Sequence, residues 1–358
     1  MTASQVMDQP VNTREGEELD KEKVLGFLKN NVPGTGNSIE IKQFPSGFSN
    51  LTYLVKTDNK EMILRRPPFG KKAKTAHDMS REYKILKALN PVFPYAPLPI
   101  IYSEDEAVMG APFYLMERLN GIILRKNLPK EMALTKQDAR QLSENLISVL
   151  CRLHKVDYNK AGLGDFGKPD GYVKRQIDGW SGRYRDARTD DAPDFEKVMQ
   201  WLHDRMPGES GIVSIIHNDY KYDNAVLNPS KPTEIIGILD WEMATLGDPL
   251  MDLGSSLAYW IEKDDPPIMQ AVRQMPTNID GMLTREEQVK LYAEIMGIKI
   301  DNFDFYYCFG LFRLAVIAQQ IYYRFFHGQT KDERFRPLVQ YVKILENTAL
   351  TVIGKSDL

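Results

Sequence analysis

Hydrophobic spacing divides the chain into an early stretch of short alternating runs and a longer stretch of helical periodicity. Val24, Leu25, Phe27 and Leu28 share one face behind Asp20-Lys21-Glu22-Lys23, which predicts a helix opening near Asp20. After Pro33 and Gly36 the period shortens, and residues 39–44, 51–55 and 62–65 read as strands. They are linked by Pro45-Ser46-Gly47-Phe48-Ser49-Asn50 and by the turn Thr57-Asp58-Asn59-Lys60. A helix over 79–89 stops at Asn90-Pro91, because the residue before proline is pushed out of the α region. Strand-like runs at 100–102 and 113–117 complete an expected antiparallel sheet with one inserted helix.

Asn120-Gly121 breaks this pattern and is the expected hinge. From Thr135 onward, helices are expected over 137–156, 172–188, 194–205, 250–263, 285–296 and 303–326. One region departs from that. Residues 213–216 read as a strand, and 225–227 and 234–239 flank the turn Asn228-Pro229-Ser230-Lys231-Pro232 as a hairpin. No internal repeat or low-complexity segment interrupts the chain.

At 358 residues the length favours about two domains. The expected division is a mobile tail over 1–19, a small lobe over 20–119 and a larger lobe over 120–358. A net charge of −3 and a pI near 6.1 give no field for nucleic acid or for an acidic membrane. The apolar region 303–326 is interrupted by Arg313, Gln319, Gln320 and Arg324, so it reads as a buried helix rather than a membrane span. The first residues are polar and acidic, with no apolar segment of the kind a signal peptide needs. Cys151 and Cys308 sit in apolar helical patterns without ligand spacing, as buried thiols of a reducing cytosol would. A cytoplasmic location is therefore expected.

The candidate chemistry lies around the hairpin. His217-Asn218-Asp219-Tyr220-Lys221-Tyr222-Asp223-Asn224 follows a strand, and Ile238-Leu239-Asp240-Trp241-Glu242 closes the hairpin. The interval from Asp219 to Asn224, with a later Asp240, matches the H-x-D-x-x-x-x-N and D-F-G layout of kinase catalytic loops, Trp-Glu replacing Phe-Gly. Phosphoryl transfer needs positioning and charge neutralisation more than covalent help. Asp219 suits the group that orients an acceptor hydroxyl and takes its proton. Asn224 and Asp240 supply hard oxygens of the kind Mg²⁺ prefers. Glu242 is near enough in sequence to assist a second ion or to be a surface carboxylate, and His217 reads as a loop-structuring residue. The alternative is that Asp219 and Asn224 merely cap a turn and Asp240 ends a strand. A literal D-F-G, Asp165-Phe166-Gly167, precedes the loop and fails on order.

These motifs resemble the aminoglycoside phosphotransferase and choline kinase superfamily. They are more similar still to the kinase-like domain fused to some acyl-CoA dehydrogenases and to its stand-alone bacterial relatives. Leu64-Arg65-Arg66-Pro67-Pro68, Arg81-Glu82-Tyr83, Phe113-Tyr114-Leu115-Met116-Glu117-Arg118, Gly162-Leu163-Gly164 and Gly247-Asp248-Pro249 carry the same likeness, over about 43–323. The resemblance implies an α+β, bilobal, protein-kinase-like fold with a small antiparallel-sheet N-lobe and a mostly helical C-lobe. It also implies ATP or GTP, Mg²⁺ and a small-molecule hydroxyl as acceptor. Carried onto this chain, Ser46, Gly47, Phe48, Ser49 and Asn50 form the loop over the phosphates. Arg65 or Arg66 stands where the family often has a phosphate-binding lysine, a planar fork in place of a point charge. Glu82 is the implied ion-pair partner, with a surface helix carboxylate as the alternative. Glu117 and Leu119 offer backbone groups to adenine, and Asp252 braces the catalytic loop, with a carboxylate favoured by the helix N-terminus alone as the alternative.

Gly247-Asp248-Pro249 follows closely on Asp240, which leaves no room for a protein kinase activation segment and favours small acceptors. Arg313, Gln320 and Arg324 recur at +7 and +4 on one face of the 303–326 helix. Together with Arg175 and Trp180 they are expected to bind an anionic part of the acceptor, a carboxylate or a coenzyme A phosphate. A solvated stripe on a packed helix is the competing reading. The expected function is ATP-dependent phosphorylation of a small-molecule hydroxyl, with a hydroxylated acyl compound as the suggested acceptor. An aminoglycoside or choline-like kinase and a catalytically silent nucleotide-binding protein are the alternatives.

Overall fold

Side chains alternating between two faces build the sheet, and a computed structural model describes residues 9–45, 50–69, 78–208, 211–301 and 303–358. Helix α1 (Lys21–Asn31) is N-capped by Asp20, whose carboxylate accepts from the Glu22 and Lys23 amides. Strands β1 (Ile39–Gln43), β2 (Leu51–Thr57) and β3 (Glu61–Arg66) pair consecutively and antiparallel. Helix α2 (Met79–Leu89), capped by Asp78, leads to β4 (Pro99–Ser103), α3 (Glu106–Met109) and β5 (Phe113–Glu117). Strand β5 inserts between β3 and β4, giving the order β1-β2-β3-β5-β4. Tyr53 and Val55, Met62 and Leu64, and Phe113 and Leu115 share one face and bury against Val24 and Leu28 of α1. Each such side chain contributes about 1.5–3 kcal/mol of burial.

The chain continues through β6 (Ile122–Ile123), α4 (Lys136–His154), α5 (Tyr172–Ala187), α6 (Glu196–Asp204) and β7 (Ser214–Ile216). The hairpin β8 (Ala225–Asn228) and β9 (Lys231–Ile238) follows, then β10 (Thr245–Gly247) and α7 (Pro249–Leu257). Helices α8 (Pro267–Val272), α9 (Arg285–Met296), α10 (Phe303–Phe326) and α11 (Leu338–Lys355) complete it.

These elements sort into two compact units that follow no single cut. Met1–Ile123, Asn159–Leu163 and Asn224–Ala244 form the first; Leu124–Tyr158, Gly164–Asp223 and Thr245–Leu358 form the second. The first unit therefore carries a second sheet, β6-β8-β9, built on the hairpin. In the second, β7 pairs β10 as a short antiparallel ribbon, and α10 packs on α5, α7 and α11. Gly254 of α7 meets Gly310 of α10. A Cβ at Gly310 would stand 2.2 Å from the Gly254 carbonyl oxygen, so the two backbones touch at that point.

Several expectations need correction. Residues 9–19 belong to the expected mobile tail, yet Val11 exchanges both backbone hydrogen bonds with Gln43, at 2.8 and 2.9 Å. The Tyr53 hydroxyl also donates to the Glu17 carbonyl, and Leu19 is buried. The helix expected over 250–263 ends at Leu257. Beyond it, Thr277 Oγ1 takes the Ile261 amide and donates to the Ile261 carbonyl, substituting side-chain bonds for the next helical turn. Strand β9 begins at Lys231, earlier than the hydrophobic run, because Asn228 Oδ1 accepts the Ser230 amide and tightens the turn. Helix α11 has no counterpart among the expected helices, although Val339, Val342, Leu345 and Ala349 recur at helical spacing on its buried side. Cys151 and Cys308 are buried free thiols, and burial pushes the Cys151 thiol up to about 12. Among the described residues no helix is long and apolar enough to cross a membrane.

Candidate active site

The strand pleat separates Arg65 from Arg66. Successive side chains of β3 point to opposite faces. Arg66 therefore falls on the Met62 and Leu64 side, where its guanidinium lies over Phe69 at 3.6 Å. Arg65 falls on the other face and is buried. Its Nη1 stands 3.4 Å from Glu82 Oε1 on α2, and its Nη2 donates to Asp240 Oδ1 at 2.9 Å, with Glu242 Oε2 at 3.6 Å. Burial would lower the Arg65 pKa, but Glu82, Tyr114, Asp240 and Glu242 outweigh it and hold the guanidinium firmly charged. Burial pushes the Glu82 carboxyl up, Arg65 opposes that, and Asp240 adds to it. Glu82 is therefore no surface carboxylate; it is 1% exposed.

Asp240 lies two residues beyond the end of β9 with φ +67°, a left-handed backbone that turns its carboxylate back toward β3. The hairpin supplies the neighbour: Ala225 is registered with Ile238, and the Leu239 amide donates to the Asn224 carbonyl at 2.8 Å. Asn224 and Asp240 thus stand at the same end of one hairpin. Asn50 reaches this group too, its Nδ2 donating to Glu242 Oε2 at 2.6 Å. Ser46, Gly47, Phe48 and Ser49 lie outside the described residues. Glu117 takes the Leu98 amide on its carboxylate at 2.7 Å and gives its own amide to the Leu98 carbonyl; Leu119 packs against Gly237.

In the second unit, Asp219 belongs to a backbone segment gripped from several sides. Asp252, fully buried on α7, accepts the His217 amide on Oδ2 and the Asn218 amide on Oδ1, both at 2.7 Å. His154 Nε2 meets the same Oδ2 at 3.1 Å, and His154 Nδ1 meets the Tyr292 hydroxyl at 2.7 Å. With the carboxylate ionised, Nε2 carries the proton that it donates to Asp252. Burial opposes the Asp252 charge, yet His154, His217 and the donated amide outweigh it and hold the carboxyl below its ordinary range. The Asp219 amide donates to His217 Nδ1 at 3.2 Å. Lys221 Nζ sits 2.5 and 2.6 Å from the two Asp219 carboxylate oxygens, above the Tyr259 ring at 4.7 Å.

The expected acceptor-binding set is not gathered as one group. Arg313 is buried, donates to the Asn218 carbonyl at 2.7 Å and lies 5.2 Å from the Trp180 ring. Arg183 covers the same ring at 4.6 Å. Arg175 instead bonds the Lys168 and Asp170 carbonyls ahead of its own helix. One residue earlier than Gln320, the buried Gln319 donates to the Ala187 carbonyl at 2.9 Å, while Arg324 is exposed. Sequence reasoning gave no role to Lys221, His154, Tyr292 or Arg183. Lys221 lies inside the catalytic-loop motif, so its position was visible; His154 and Tyr292 carry no local signal.

Among the described residues no group of three His, Cys, Asp or Glu is arranged to hold a metal. Asn224 and Asp240 nevertheless fit Mg²⁺. That ion keeps water and phosphate oxygens and takes few protein ligands, with one or two carboxylates usual.

A model of the phosphotransferase enzyme family, APH, matches residues 40–286. Mouse acyl-CoA dehydrogenase family member 10 is 36% identical over 296 residues, 82% of this chain and 27% of that protein. Human acyl-CoA dehydrogenase family member 11 is 30% identical over 339 residues, 93% of this chain and 43% of that one. The chain thus spans less than half the length of these relatives. Among solved structures, a Ralstonia eutropha protein provisionally described as an aminoglycoside phosphotransferase is 27% identical, with a TM-score of 0.79 over 95% of this chain and 100% of its own. Choline kinase from Cryptosporidium parvum shares the fold at 14% identity, with a TM-score of 0.64 over 94% of this chain and 96% of its own.

Proposed function

The chain belongs to the phosphotransferase enzyme family and is a small-molecule kinase; we propose that it moves the γ-phosphoryl group of ATP or GTP to a hydroxyl of a hydroxylated acyl compound. The observation that carries this reading is the buried Arg65, fixed between Glu82 and Asp240, with Asn224 at the same hairpin end. It supports a nucleotide-phosphate site in the first unit, with residues 20–119 supplying most of it.

In this proposal the acceptor oxygen forms a bond to the γ-phosphorus as the β–γ bridging P–O bond breaks and the nucleoside diphosphate leaves. The hydroxyl proton passes to the Asp219 carboxylate. Asn224 and Asp240 would hold Mg²⁺, which neutralises phosphate charge when bound. Arg65 orients the phosphates, Glu82 fixes Arg65, and Asp252 and His217 hold the loop that carries Asp219. Asn50 steadies Glu242 beside Arg65.

The acyl part of the proposal rests on two supports. Two curated relatives are named as acyl-CoA dehydrogenase family members. The exposed guanidinium of Arg183 also lies over Trp180, a positive surrounding that suits an anionic acceptor better than a polycationic aminoglycoside. Gln320, Arg324 and Arg175 have no part in that surrounding. Consumption of ATP and of GTP with Mg²⁺, measured over hydroxyacyl-CoAs, free hydroxy acids, amino alcohols and aminoglycosides, tests the reading. Turnover is expected with hydroxylated acyl acceptors, and Asp219→Asn should lower kcat by about 10²–10⁴-fold. Turnover restricted to aminoglycosides or choline overturns the acceptor assignment. Absence of nucleotide binding overturns the kinase reading itself.

A further inference from the structure

The peptide unit joining Asn218 to Asp219 is held at both ends by side chains. Its carbonyl oxygen accepts from Arg313 Nη2 at 2.7 Å, and its amide donates to His217 Nδ1 at 3.2 Å. Asn218 itself has φ +64°, a region that costs a non-glycine residue energy unless its surroundings impose it. Those surroundings come from three helices. Asp252 on α7 accepts the Asn218 amide, the Tyr172 hydroxyl on α5 donates to Asn218 Oδ1 at 3.3 Å, and Arg313 on α10 takes the carbonyl.

We infer that Arg313 is a positioning residue: it fixes the orientation of the 218–219 peptide and so aims the Asp219 carboxylate. The alternative role, binding an anionic acceptor, needs an accessible guanidinium, and Arg313 is 3% exposed. A planar fork suits the task. One nitrogen donates to the carbonyl while the guanidinium carbon lies 5.2 Å from the centre of the Trp180 ring, and a lysine ammonium offers no such extended surface.

The helix packing sets the spacing of the grip. Asp252 lies two residues before Gly254 on α7, and Arg313 lies three residues after Gly310 on α10. The Gly254–Gly310 backbone contact therefore fixes the separation of the two side chains that hold successive peptide groups of the loop. A shift of about 1 Å in a reacting group is enough to cost about 100-fold in rate.

The inference rests on the phosphotransferase reading only where it speaks of turnover. Two measurements on the full chain separate them. Amide exchange over residues 217–223, followed by mass spectrometry, should quicken in Arg313→Ala and recover on addition of millimolar guanidinium. Turnover with the best acceptor should fall about 100-fold in kcat with the KM of nucleotide and acceptor unchanged. Arg313→Lys, which keeps the charge and loses the fork, serves if the alanine variant does not fold, and should show the same changes. Unaltered exchange in these variants overturns the inference. A raised acceptor KM with unchanged kcat also overturns it, because Arg313 would then be an acceptor ligand. If the wild-type chain turns over no acceptor, the functional proposal falls while exchange still decides the role of Arg313.

Discussion

Lys221 grips Asp219 by both carboxylate oxygens, with Nζ 2.5 Å from Oδ1 and 2.6 Å from Oδ2. The lysine side chain is 12% exposed, so its ammonium has given up most of its water. Burial alone would favour the neutral amine, but Tyr259, Asp219 and Asp223 outweigh it and raise the pKa above the ordinary lysine value. A raised lysine pKa stabilises the fold fully below the unfolded value near 10.4 and loses that contribution only as pH rises through the folded value. Lys221 therefore stays cationic beside Asp219 across the neutral range.

Removing that cation tests what it does. Lys221→Met should lower kcat by about 10²–10³-fold, the effect of deleting one preorganised donor from a site of charge transfer. The Kd for nucleotide with Mg²⁺ should change little, since Arg65 remains. Steady-state kinetics and calorimetric titration check both parts, and a variant with wild-type kcat would leave Lys221 a purely structural counterion.

Arg65→Ala strands the Glu82 carboxyl in the interior without its cation. The expected loss is about 3–5 kcal/mol in urea unfolding, as for other broken buried pairs. Arg65→Lys keeps the charge but cannot reach Glu82 and Asp240 with separate nitrogens of one rigid fork. It should lose less stability and still weaken nucleotide binding. Equal stability of the alanine and lysine variants would show that the pairing contributes nothing.

Asp252→Asn puts a donor where the His217 and Asn218 amides already donate. A loss of about 3 kcal/mol is expected at pH 7. The wild-type contribution comes from a carboxyl held below its unfolded value, so it is present above about pH 4 and disappears as pH falls through the folded value. The stability difference between the two proteins should accordingly shrink below about pH 4. A difference that stays constant from pH 7 to pH 3 would mean that the Asp252 charge is not its source.

Gly310→Ala sets a methyl against the Gly254 carbonyl oxygen, backbone against backbone, where nothing can swing aside. Overpacking of this kind costs about 1–3 kcal/mol, read as a fall in Tm, and kcat should fall with it because the grip on the 218–219 peptide widens. Gly182→Ala on α5 is the contrast: no heavy atom lies within 4 Å of its added Cβ. There the substitution should be neutral or stabilising by about 0.5–1 kcal/mol.

Much of the fold was legible because its signals are local. Strands β1 to β3, helix α2, the β8–β9 hairpin and helix α10 announce themselves by period, caps and turn residues within a window of a few residues. The end of α7 was not legible, since Thr277 replaces its continuing hydrogen bonds from a distant part of the chain. The attachment of residues 9–19 to β1 is not legible for the same reason: Val11 and Gln43 pair across a gap that no short window spans.

The chemistry divides in the same way. The amino-acid order alone determined the phosphotransferase motif, the Asp219 to Asn224 interval and the hairpin returning to Asp240, because a short covalent path carries its geometry with it. Only the tertiary structure decided that Arg65 rather than Arg66 faces Glu82 and Asp240, through the pleat of β3. It also decided that Arg313 turns inward to the Asn218 carbonyl while Arg324 stays outside, and that His154 and Tyr292 stand behind Asp252. A helical stripe fixes which residues share a face, but what that face meets depends on where its neighbours lie.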